Sequence, residues 1–237
     1  MIRLIAVLFA LAACAPVPVD APLTGAPSTG ATRAAASPNA AYERAVTRIE
    51  PVSERLCRRR NPDFPAIGCD FQFILSDDER LGQNAFQTLA DNGRPQVIFT
   101  QSLLDVLLNE DEVAFILAHE TAHQIARHII RQRGREQLGA SILGGLVAAT
   151  GEATPDDLRT AAGIGAFLAG RTYSKNFEIE ADKLATVISH RAGYDPVKGA
   201  APFARWETGS RMILSTHPPS SERLNAVMET ARQIGAL

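Results

Sequence analysis

Apolar residues recur at helical spacing through Tyr42, Ala45, Val46, Ile49 and Val52. This predicts a helix over residues 42–56 that Pro51 interrupts. The period then changes. Residues 69–75 alternate like a half-buried strand, and residues 85–89 and 96–100 read as two more short strands. Asp91-Asn92-Gly93 between them is hairpin-turn chemistry. A helix is expected next over residues 102–108. The strongest helical pattern lies beyond it, with Val113, Ile116, Leu117, Ile125 and Ile129 supplying much of an apolar face. Asn109 is its expected cap, with Glu112 at the third helical position. Glu110, Asp111 and Glu112 suit the positive end of the helix dipole. Arg127, His128, Arg131 and Arg133 sit near the other end, and Gly134 is the expected terminator.

Residues 134–172 have a different texture and hold eight of the 17 glycines. Two apolar segments, 138–149 and 158–169, flank Gly151-Glu152-Ala153-Thr154-Pro155. They read as two short, close-packed helices or as a mobile flap over a cleft, and glycine content alone does not decide. A helix over residues 173–192 is closed by Gly193 and Pro196. Helical segments over 202–209 and 221–234 finish the chain.

With 237 residues the chain is one large domain or two small ones. Hydrophobic residues make up 46% and charged residues 21%, the balance of an ordinary globular protein. Lys+Arg 24 against Asp+Glu 26 gives a net charge of -2, without the basic excess of a nucleic-acid binder. Aromatics at 6% also argue against a base-stacking surface. No nucleic-acid partner is expected.

The first residues are read apart from the fold. Met1-Ile2-Arg3 is a short positive start, and residues 4–13 are an apolar run too short to span a bilayer. This is the pattern of a secretory signal peptide over residues 1–13. Leu11-Ala12-Ala13-Cys14 resembles a bacterial lipoprotein box, which implies lipidation of Cys14 as the first mature residue. Losing Arg3 with the signal moves the net charge from -2 to -3. By resemblance to enterobacterial lipoproteins, Ala15 favours the outer membrane. Residues 14–40 form a lipidated Pro/Ala-rich tether, and residues 41–237 the folded domain. Export also bears on Cys57 and Cys69, which have eleven residues between them. Parity and an oxidising compartment predict a disulfide, which would add about 3 kcal/mol for a loop of this order.

His119-Glu120-Thr121-Ala122-His123 is an HExxH motif on the strongest helix. Residues four apart differ by about 40° in azimuth, so both imidazoles leave one face and can meet one metal ion. Glu120 lies beside them, placed to reach a metal-bound water without being a ligand. Zinc in a hydrolytic site takes three protein ligands and leaves one position for water. A metzincin would place its third His at position 129, which is Ile129 here. His128 is about 140° round the helix from His123 and is read as a surface or second-contact histidine. Downstream, Glu178 and Asp182 share a helical face in Glu178-Ile179-Glu180-Ala181-Asp182. One carboxylate can bind metal while the other orients a ligand imidazole. Glu180 is expected to point away into solvent.

HExxH followed by ExxAD resembles the gluzincin metallopeptidases, the group of HtpX, BepA, Oma-type mitochondrial proteases and CAAX prenyl proteases. Asn84-Ala85-Phe86, Asn109-Glu110-Asp111-Glu112, Ser174-Lys175-Asn176-Phe177-Glu178, Ala192-Gly193-Tyr194-Asp195-Pro196 and Thr216-His217-Pro218-Pro219 are also similar to segments of that family, over about residues 42–232. Lys175 stands where Arg is usual. The resemblance implies one zinc ion per chain held by His119, His123 and Glu178, with Glu120 as general base and Asp182 orienting a ligand. It implies an α+β, mainly α-helical fold, with a small sheet packed on the HExxH helix. It also gives His217 three readings: an oxyanion group, an occupant of the open zinc position, or a loop histidine before the last helix. Arg223 is a candidate anchor for that loop.

The function expected is a zinc endopeptidase acting on misfolded or misassembled envelope proteins, lipid-anchored on the periplasmic side, with outer-membrane assembly machinery as a candidate partner. The alternative is a chaperone-like adaptor with a latched zinc site.

Overall fold

Residues 37–207 and 220–237 are described by the computed structural model. Helix α1 (Pro38–Arg60) starts where the Ser37 hydroxyl accepts the Ala40 N–H. Pro51 lies inside it without ending it, contrary to the expected interruption. The hydrogen bond lost at proline is outweighed by one buried face, with Tyr42, Ala45, Ile49, Val52 and Cys57 all in the core. A 3-10 turn (Ala66–Cys69) comes after α1 and takes the first residue of the expected first strand, which runs instead as β1 (Gln72–Ser76). A disulfide joins Cys57 to Cys69, tying the end of α1 to this turn.

Strands β2 (Ala85–Leu89) and β3 (Pro95–Thr100) form a hairpin. Its turn is closed by Ala90 N–H to Arg94 O and by Gly93 at φ 83°. The sheet order is β1-β3-β2, with β1 parallel and β2 antiparallel to β3. A short helix α2 (Gln101–Leu104) then leads to α3 (Glu110–Ile125). Asn109 Oδ1 accepts the Glu112 N–H, and Glu112 Oε2 accepts the Leu108 N–H. Every residue of α3 from Glu112 to Ile125 is buried, because α1, the sheet and the long helix α5 (Pro155–Arg191) surround it. The fold is α+β and mainly helical, with the sheet packed on the helix that carries the motif.

The chain departs from expectation at two places beyond the motif. The helix expected to continue to Gly134 stops at Ile125. Arg127 adopts the left-handed conformation (φ 59°), and a new helix α4 (His128–Ala148) starts beyond it. No glycine marks this break. Arg127 is held there by Asp63, 2.9 Å from its guanidinium, and by stacking on the Phe64 ring. Beyond α4, the two segments expected at 158–169 and 173–192 are one helix, α5, opened by a reciprocal Thr154–Asp157 capping box. Helix α4 packs antiparallel on it, and a Cβ on Gly144 would touch the Ala162 side chain at ordinary contact distance. The region is thus a packed helix pair, with both helices longer than the short ones expected. Short helices α6 (Pro196–Gly199) and α7 (Ala201–Glu207) and the final α8 (Ser221–Gln233) complete the domain. No helix of the described residues is long and apolar enough to cross a membrane.

Candidate metal centre

The i, i+4 spacing on α3 places His119 and His123 side by side, with their Nε2 atoms 3.0 Å apart. Helix α5 lies across α3 and brings Glu178 to both. Its Oε2 is 3.2 Å from His119 Nε2, and its Oε1 is 3.5 Å from His123 Nε2. Ala181 and Ala185 are fully buried on the same helix and permit the close approach. Ligand atoms of a tetrahedral zinc with bonds of about 2.0–2.2 Å lie about 3.3–3.6 Å from one another. Two imidazole nitrogens and a carboxylate that faces each of them with one oxygen at these separations fit that ion. All three side chains are buried, where such polar groups need a common partner. Glu120 is buried beside His119 on the same helix.

One helical turn beyond Glu178, Asp182 Oδ1 lies 2.9 Å from His119 Nδ1. Asp182 is held in turn by Arg223 of α8, whose Nε and Nη2 donate to its two oxygens at 2.7 Å each. The same guanidinium sits 3.3 Å from Glu178 Oε2 and over the Phe203 ring. Arg223 is therefore part of the centre, beyond the loop-anchoring role expected of it. Burial opposes the His119 imidazolium, but the hydrogen bond and charge of Asp182 outweigh it and hold the pKa up at about 9. A metal ion must displace that proton.

Of its two expected places His128 takes the second-contact one, while Glu180 departs from the solvated position expected of it. His128 is buried, stacks on Phe177, and places Nδ1 3.0 Å from His123 Nδ1. Its Nε2 is 3.3 Å from Glu180 Oε2, which also accepts from Arg131 at 2.7 Å. The surface alternative for His128 fails because the left-handed Arg127 ends α3 and re-aims the chain. Glu180 points away from Glu178 on α5, yet it faces the start of α4 instead of open solvent. Burial pushes His128 down to about 4, so it is neutral, against the opposing pull of Glu180. No motif in the sequence flags the His123–His128 or His128–Glu180 pairs.

Lys175, at the position of the usual Arg, pairs with Glu222 and links α5 to α8 on the exposed side. Cys14 and His217 lie outside the described residues.

Residues 44–231 match peptidase family M48. The chain is 27% identical over 202 residues to the Beta-barrel assembly-enhancing protease of Yersinia pestis, covering 78% of this chain and 39% of that protein. It is 28% identical over 183 residues to the protein of the same name from Escherichia coli strain K12, covering 71% and 36%. It is also 28% identical over 168 residues to the Mitochondrial metalloendopeptidase OMA1 of Saccharomyces cerevisiae, covering 66% and 46%. The chain thus spans less than half the length of these relatives. The match runs from α1 through α8 and takes in both helices that supply the donor set, and the chain belongs to peptidase family M48.

Proposed function

We propose that this chain is a zinc-dependent endopeptidase that cleaves unfolded or misassembled proteins of a bacterial envelope. The observation that carries the reading is the convergence of His119, His123 and Glu178 from α3 and α5, with Glu120 in the same buried turn. Zinc held by those three supplies Lewis acidity to the scissile carbonyl and lowers the pKa of water. Glu120 takes the proton of the attacking water and returns it to the leaving amine. The Asp182 carboxylate accepts a hydrogen bond from His119 Nδ1–H, so that Nε2 presents a lone pair, and Arg223 holds both Asp182 oxygens in place. His217 stabilises the oxyanion. Strand β2 lies at the sheet edge, where an extended peptide can add by main-chain pairing, and such pairing reads side chains weakly.

Residues 1–13 direct export, Cys14 carries lipid, and the tether, expected to run to residue 40 but giving way to α1 at Pro38, joins the peptidase domain to the periplasmic face of the outer membrane. The bacterial relatives named for β-barrel assembly support outer-membrane assembly machinery as partner.

The test is Glu120→Gln. The variant should bind one zinc per chain while cleavage of an unfolded protein falls by about 10²-fold or more. Cleavage at the wild-type rate rejects the mechanism. Full zinc loading of the wild type with no cleavage of any unfolded protein favours the latched adaptor.

A further inference from the structure

Two carboxylate–arginine pairs flank the donor set, and both carboxylates come from α5. One acts directly: Arg223 holds Asp182, and Asp182 meets His119 Nδ1. The other stops one residue short: Arg131 holds Glu180, and Glu180 meets the Nε2 of His128. His128 then turns its other nitrogen onto His123 Nδ1 at 3.0 Å. Two ring nitrogens at that distance are bonded only when one carries the proton and the other offers its lone pair.

We propose that His128 is a positioning residue for the metal centre, an imidazole acceptor that fixes the tautomer and ring orientation of His123. The inference rests on the zinc reading of His119, His123 and Glu178. A ligand His123 must present a bare Nε2, so its proton sits on Nδ1. His128 Nδ1 must therefore accept. Its own proton then lies on Nε2, where the Glu180 carboxylate accepts it. The carboxylate has no proton to give and is held in place by Arg131, so this polarity cannot be reversed without opposing an acceptor to an acceptor. The chain Arg131–Glu180–His128–His123 thus has a single proton arrangement, and it is the one that leaves His123 ready to bind. Phe177, stacked on the His128 ring with centroids 4.4 Å apart, keeps the plane of the relay. The left-handed Arg127 is what lets a residue five positions after His123 face it at all.

The experiment measures zinc affinity by competition with a chromophoric chelator, alongside urea unfolding of the metal-free protein. His128→Phe keeps a ring to stack on Phe177 but removes the acceptor, and zinc affinity should fall about 10- to 100-fold. His128→Asn restores an acceptor oxygen near the lost Nδ1 and should recover most of that loss. Equal affinity for wild type and His128→Phe overturns the proposal, as does His128→Asn binding no better than His128→Phe. If neither variant folds, nitrogen-15 spectra of the zinc-loaded wild type decide. His123 protonated on Nδ1 with His128 protonated on Nε2 supports the relay, and His128 protonated on Nδ1 overturns it. Wild type that binds no zinc sinks the metal-centre reading itself and the relay with it, whereas failure of the relay alone leaves zinc binding intact.

Discussion

Asp182 places one carboxylate oxygen 2.9 Å from His119 Nδ1 while Arg223 grips both of its oxygens at 2.7 Å, so one buried side chain serves an imidazole of the candidate donor set and a buried cation together. Removing it has two separable effects. Asp182→Ala should lower zinc affinity about 10- to 100-fold, because His119 loses the group that orients it. It should also destabilise the metal-free protein by about 3–5 kcal/mol, because Arg223 keeps its charge without its main partner. Urea unfolding under chelator reads the second effect. Adding Arg223→Met to Asp182→Ala should restore much of the stability and none of the affinity.

The two perturbed histidines give the metal-free protein opposite pH slopes. His119 titrates at about 9 in the fold against 6.5 unfolded, so its stabilisation is complete below pH 6.5 and is lost as pH rises through about 9. His128 titrates at about 4 in the fold, so the unfolded chain takes up its proton first and stability falls as pH drops from 6.5 toward 4. From these two groups, stability of the chelator-treated protein should peak near pH 6.5. Replacing His128 with Phe should flatten the acid limb only. Zinc affinity should rise with pH up to about 9, since each zinc bound there displaces the His119 proton.

The disulfide between Cys57 and Cys69 closes a short loop that fixes the end of α1 against the turn before β1. The Cys57→Ser/Cys69→Ser double variant should lose about 3 kcal/mol in urea unfolding. Zinc stoichiometry should stay at one, because neither cysteine touches the donor set.

Gly199 packs directly on α3. A Cβ there would come within 2.6 Å of Asp111 O and 2.7 Å of Phe115 Cβ. The first of these is backbone and cannot yield locally. Gly199→Ala should therefore cost about 1–3 kcal/mol by thermal or urea unfolding, with the α3–α6 contact displaced.

The sequence alone determined what is local. HExxH and ExxAD place their His and carboxylate side chains on shared faces by helical periodicity, and Asn109 and Glu112 announce the start of α3 by capping chemistry. The turn at Gly93 follows from its freedom at positive φ. Each of these is a property of a few neighbouring residues, so it survives without knowledge of the rest. Tertiary structure alone decided what depends on how separate helices meet. The break at Arg127 carries no glycine and is stabilised by Asp63 and Phe64, more than 60 positions earlier. That break turns His128 onto His123 and brings Arg131 and His128 to Glu180. Arg223 reaches Asp182 only because α8 packs on α5. Pro51 stays helical because its neighbours are buried, a long-range gain that outweighs a local loss. Periodicity encodes a side chain's direction from its own helix axis, and the partner it meets is set by where another axis crosses.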